Sequence, residues 1–268
     1  MFNRVRSMSF SSSEMDSLAP NTSVELLPTE LREVYENWKQ SDLTPDRYSG
    51  SVNASDWPVS IYVPERYEEG YAYPLVTWFH SDANDEDQLE GVMTAISSQN
   101  YLGLAMRGNQ RMEKTGGYRW DAESGRLGNV STSELLHLTT CRLRRTYHIH
   151  SERIFLAGSG HGADMALRTL TQHPEWFAGA ILLDPFCEHG SLLNSGLDQL
   201  RNKPVLMSIS RSCALETLGR CVRTVRTLRN AGAPVDVEMT DLPVDPASAE
   251  ARMIDHWIMD SIAREALV

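Results

Sequence analysis

From Trp57 onward the chain alternates short apolar runs with helix-length amphipathic stretches, and few architectures accept that pattern. The apolar runs are Val59 to Val63, Leu75 to Phe79, Leu102 to Met106, Ile154 to Ala157, Ala180 to Leu183, Val205 to Ile209 and Val235 to Met239. Most are apolar on both faces, as strands must be when helices cover both sides of their sheet. The stretches between them predict helices at Asp87 to Ser98, Thr132 to Tyr147, Ala163 to His173, Leu215 to Ala231 and Ala247 to Ala266. In the last of these, Ile254, Trp257, Ile258 and Ile262 form the buried stripe. The expected fold is therefore α/β, with a mostly parallel central sheet and helices on both faces.

A chain of 268 residues can bury such a sheet in one domain, which we place at residues 51–268. Ahead of it, residues 1–27 read as a Ser-rich flexible tail and residues 28–50 as an amphipathic helix with a linker. Leu31, Val34, Tyr35 and Trp38 fall at helical spacing there, behind Pro28 and a Thr29 cap. The net charge of -11 opposes binding to nucleic acid or anionic lipid, and no apolar stretch approaches the length of a membrane span. The opening segment carries Arg4 and Arg6 without an apolar core, so no export signal is expected. Cys141, Cys187, Cys213 and Cys221 make no Cys-x-x-Cys pair, which predicts free core thiols and a cytoplasmic location. No cofactor or metal is implied.

The segment that carries chemistry is Ile154 to Leu167, which reads as strand, sharp turn and helix. Its turn, Gly158-Ser159-Gly160-His161-Gly162, has the layout of a nucleophile elbow, G-x-S-x-G, with Gly160 at the centre. The positions two before and two after the nucleophile must be small because the backbone folds tightly there, and Gly158 and Gly162 satisfy this. A register one residue earlier would put Ser159 at the tip, flanked by Ala157 and by His161, whose side chain would crowd the turn. A third reading is a glycine-rich turn with no catalytic ancestry.

With these residues in view, the chain from Trp57 to Ala266 resembles the α/β-hydrolases, in their carboxylesterase/phospholipase-like and polyhydroxybutyrate-depolymerase-like esterase branch. The likeness rests on the elbow, on Pro74-Leu75-Val76-Thr77-Trp78-Phe79-His80, on Arg144-Arg145 before Tyr147 and on Trp257-Ile258-Met259. It implies an oxyanion loop at His80, Ser81 and Asp82, a catalytic acid after the strand Val205 to Ile209, and a catalytic histidine after Val235 to Met239. The departures are several. Ser81 stands where the family has Gly, and Asp82, Asp85, Glu86 and Asp87 follow it, although the last three also suit the N-terminal turn of a helix. The turn Ser210 to Ala214 has no carboxylate before Glu216, and Thr240 to Pro246 has no histidine. His256 falls inside the final helix, and Asp184 stands as an acid on a neighbouring loop without a base to orient.

Asp184 and His189 are candidate pocket-wall residues because they lie beyond the carboxyl ends of predicted strands, where α/β sheets place their ligands. The resemblance implies the same role for Tyr118 and Trp120, in the long connection after Leu102 to Met106 that overhangs the family's pocket, and a surface aromatic packed on the loop is the other reading. For His80, His161 and His189, ordinary hydrogen-bonded roles are expected ahead of metal ligation. The Arg220, Arg223, Arg226 and Arg229 series drifts around its helix and predicts a solvated face. Three functions fit: a hydrolase-fold protein without catalysis that binds a small molecule or a protein, an active esterase using Ser159 or an activated water, or an interaction scaffold. The sequence does not encode the oligomeric state.

Overall fold

The computed structural model describes residues 5–8, 57–121, 126–127, 130–188, 197–240 and 251–265. The predicted helix at Leu31 to Trp38 lies outside them, as do His189 and the turn 241–246. Eight strands build the main sheet: β1 (Val5–Met8), β2 (Val59–Tyr62), β3 (Tyr73–Phe79), β4 (Leu102–Met106), β5 (Ile149–Ser159), β6 (Gly179–Leu183), β7 (Val205–Ser210) and β8 (Val235–Thr240). Their order is β1-β2-β4-β3-β5-β6-β7-β8. From β4 to β8 every pairing is parallel, while β2 runs antiparallel to both β1 and β4.

Five helices follow their strands: α1 (Gln88–Ile96), α2 (Thr132–Leu143), α3 (His161–Gln172), α4 (Leu215–Asn230) and α5 (Ala251–Glu265). The sheet separates two apolar cores. Leu89, Val92, Met93 and Ile96 of α1 share one with Ile254, Trp257 and Ile258 of α5. The other takes Leu135 and Leu136 of α2, Met165 and Leu170 of α3, and Cys221 and Leu228 of α4. The strands feed both by alternation: Leu75 and Phe79 face the second core, Val76 and Trp78 the first. This two-sided burial is why the strands read as continuous apolar runs rather than alternating ones.

The expected strands and helices recur with ends shifted by a few residues, and α2 starts on a full capping box between Ser131 and Glu134. One element departs from the reading of residues 1–27 as a tail. Val5–Met8 pairs with Val59–Tyr62 and extends the sheet by a strand. Its four residues, next to Arg4 and spanning Arg6, have no apolar run to announce them. A two-stranded ribbon, Gln110–Arg111 with Tyr118–Arg119, also organises the long connection after β4.

Candidate functional site

The site begins where β5 hands over to α3. Ser159 is the last strand residue, paired opposite Leu183, and His161 opens the helix. Gly160 alone makes the turn, at φ 58° and ψ -124°, a conformation that L side chains adopt only under strain. Its N–H donates to the Leu183 carbonyl at 2.9 Å, and its carbonyl accepts from Ala163 at 3.0 Å. The flanking glycines have a steric reason. A side-chain carbon on Gly158 would sit 2.5 Å from the Gly162 oxygen, and one on Gly162 would fall on the carbonyls of Phe79 and His80. Strand, turn and helix therefore touch backbone to backbone. A carbon added at Gly160 would meet only the rim of the Phe186 ring, at 3.3 Å. The tip of the turn thus carries no nucleophilic atom, and an aromatic ring lies across it. Ser159 is one residue away, in the sheet and 9% exposed.

Beside the elbow runs the loop after β3. His80 is fully buried and doubly bonded: its Nε2 accepts the Gly108 N–H at 2.8 Å, so Nδ1 holds the proton and donates to the Ser81 carbonyl at 2.8 Å. Burial lowers its pKa, outweighing the Ser81 bond and the charges of Asp85, Glu86 and Asp82. His80 is a neutral, immobile strut. Trp120 supports it from beneath, donating its indole N–H to the His80 carbonyl at 3.0 Å and packing edge-on to Phe79. That indole is 3% exposed, so Trp120 stiffens the loop instead of lining an open pocket. Tyr118 packs its ring under the Arg107 guanidinium, 4.7 Å from the centroid, while Arg107 grips the buried Glu86 through two nitrogens. The Ser81 N–H is directed to the side chain of Gln88, at 3.3 Å.

Asp82 reaches across to the elbow. Its Oδ2 accepts from Nδ1 of His161 at 2.8 Å, while Nε2 of the same ring faces Glu188 at 3.6 Å. The Asp82 hydrogen bond raises the His161 pKa, against partial burial and with help from the charges of Asp82, Asp164 and Glu188. Phe186 lies on the other side of the imidazole, with ring centres 4.5 Å apart. Asp164, one turn along α3, is 9% exposed and accepts the Cys187 N–H through Oδ1 at 2.9 Å. Burial raises its pKa. Two carboxylate oxygens here, Asp82 Oδ1 and Asp164 Oδ2, are buried with no hydrogen-bond partner among the described residues.

Asp184 follows β6 with φ 45° and accepts the Ser210 N–H at 2.6 Å, so one of its oxygens anchors the turn after β7. In that turn the Ser210 and Ser212 hydroxyls bond each other at 2.7 Å. His256 lies on the outer side of α5, 81% exposed and 3.4 Å from Asp260. Among the described residues, no group of three or more His, Cys, Asp or Glu is placed to hold a metal ion, and no helix is long and apolar enough to cross a membrane. Sequence reasoning missed Asp164, Phe186 and Glu188. The last two follow a strand end directly, a positional signal already used for Asp184 and His189. Asp164 stands three residues after His161, a spacing that puts both on one helix face.

Comparison with solved structures gives the fold its place. A carboxylesterase from Mesorhizobium loti superposes over 76% of this chain and 94% of its own, with a TM-score of 0.56 at 18% identity. A Bacillus cereus carboxylesterase covers 73% and 92%, also at 0.56 and 18%. Fungal esterases from Rhizomucor miehei cover 96% and 98%, at 0.58 and 13% identity. No protein-family model and no curated protein matches the sequence. The strand order, the elbow and these neighbours define one class: the chain has the α/β-hydrolase fold, and its similarity is to esterases of that fold. At such identities the likeness is one of architecture.

Proposed function

We propose that this protein does not work as a serine hydrolase and acts instead by binding a small molecule or a protein at the site beside Gly160. The observation that carries this reading is the Gly160 turn itself. Its backbone holds the strained geometry in which a hydrolase of this fold would present its nucleophile, yet no side chain is there and Phe186 covers the place. The surroundings support it. Acyl transfer needs donors aimed at a developing negative oxygen, and here the Asp82 carboxylate bridges the loop and the elbow. It also needs an imidazole free to take a hydroxyl proton. His80 has both nitrogens engaged, and His161 faces a carboxylate on each side. Among the described residues no imidazole hydrogen-bonds to Ser159 Oγ, so the reading that uses it as nucleophile has no base there.

The test uses the full-length protein with p-nitrophenyl acetate and butyrate. Nitrophenol release at the buffer rate, unchanged by Ser159→Ala, is the expected result, and saturable heat with the same esters in titration calorimetry would register binding without turnover. Catalytic release that disappears in Ser159→Ala would overturn the reading.

A further inference from the structure

We infer that His161 is a pH-operated clasp: as an imidazolium it ties Asp82 to Glu188 and seats Phe186 over Gly160, and as a neutral ring it lets the Phe186–Glu188 segment go. This goes beyond the binding role proposed above, and its test needs no ligand, so either can fail without the other.

Three segments meet on this one ring. His161 opens α3 directly after Gly160. From the loop after β3, Asp82 Oδ2 accepts from Nδ1 at 2.8 Å, and from the loop after β6, Glu188 Oε2 lies 3.6 Å from Nε2. Phe186 packs against the imidazole with ring centres 4.5 Å apart, and the rim of the same phenyl ring is what a side-chain carbon at Gly160 would meet, at 3.3 Å. The cover over Gly160 and the pairing of two carboxylates therefore share one titratable group. The imidazole is 27% exposed, so solvent protons reach it.

The two arms respond differently to the proton. A carboxylate only accepts, so the Asp82 bond keeps a proton on Nδ1 in either state. Nε2 carries one only in the imidazolium. Charged, the ring donates toward Glu188 and presents a cation to the Phe186 ring. Neutral, it turns a lone pair toward the Glu188 carboxylate, and two acceptors make no bond. The charged groups around the ring are Asp82 from the loop after β3, Asp164 from α3 and Glu188 from the loop after β6. The Asp82 hydrogen bond foremost, then these charges, raise the His161 pKa against partial burial, so the proton leaves above 6.5. The segment is set to move once the Glu188 arm is lost. Cys187 sits at φ 52°, a left-handed conformation that is strained in a non-glycine residue, and the bond from its N–H to Asp164 Oδ1 at 2.9 Å seats it. Cys221 and Arg220 hold the carbonyls of Pro185 and Phe186, so the movement is confined to the Phe186 side chain and to Cys187–Glu188.

The Cys187 amide reports the seat directly, because its bond to Asp164 breaks when the segment lifts. The experiment follows hydrogen exchange of that amide by NMR in the full-length protein at pH 6 and pH 8.5, expressed as protection over the unstructured rate at each pH. Protection should fall about two- to fivefold at the higher pH, the size set by a partly exposed ion pair. Ionisation of Asp164, whose pKa burial raises, strengthens its bond to Cys187 and so acts in the opposite direction. Glu188→Gln and His161→Phe should each show protection below wild type at pH 6 and flat to pH 8.5. Wild-type protection that is unchanged or higher at pH 8.5 would overturn the clasp. So would the same fall with pH, or full protection at pH 6, in either variant.

Discussion

Two halves of the same strand-end site are built on opposite principles. Around His80 the polar groups that position the loop are matched: ring to Gly108 and Ser81, carbonyl to Trp120, Arg107 to Glu86, with the imidazole and Glu86 buried at 0% and 2% exposure. Around Gly160 the backbone takes a turn that only glycine adopts freely, the charges of Asp82, His161 and Glu188 are partly exposed, and two buried carboxylate oxygens have no partner among the described residues. The first region is a rigid frame that tolerates no change of partner. The second leaves polar capacity unmet among the described residues.

The comparison can be broken most directly at the frame. Gly162→Ala would drive a carbon into two carbonyls, and we expect a loss of about 3 kcal/mol or more in urea unfolding. Near-wild-type stability there would mean that the backbones do not cross as described. Glu86→Gln, which leaves Arg107 with a neutral partner for its buried contact, should lose about 2 kcal/mol by the same measurement.

Changes at the tip should be milder. Gly160→Ser puts a side chain at φ 58° and 3.3 Å from a ring that is itself 36% exposed and able to shift. A loss of about 1 to 2 kcal/mol is expected, read as a lower melting temperature, with no ester hydrolysis gained. A rise in both stability and turnover would contradict the account of this turn. Asp82→Asn removes a half-exposed pair, so its effect should stay under about 1 kcal/mol.

The pH dependence of that last variant sharpens the contrast further. His161 has its folded pKa raised above 6.5, so the stability drawn from the Asp82 pair is complete below 6.5 and disappears as pH rises through the folded value. The melting-temperature gap between wild type and Asp82→Asn should therefore narrow from pH 6 to pH 9. A gap that widens over this range would show that Asp82 acts through something other than the imidazolium.

Much of this protein was legible from residue order alone. The apolar runs announced the buried parallel sheet because strands covered on both faces leave no room for polar alternation. Gly158 and Gly162 announced the sharp turn because only hydrogen fits where backbones meet, and Gly160 because the turn takes a positive φ. Local pattern also limited the reading: β1 has no apolar run, and its place at the sheet edge depends on pairing with Val59–Tyr62, some fifty residues on. The tertiary structure alone decided that His80 is a locked strut, that Trp120 is a prop under the loop, and that Asp82 crosses to His161. It also decided that Phe186 covers Gly160 and that Cys221 bonds the Pro185 carbonyl. Each is a contact between segments far apart in the chain, and side-chain chemistry of that kind is set by distance in space, which no spacing along the sequence records.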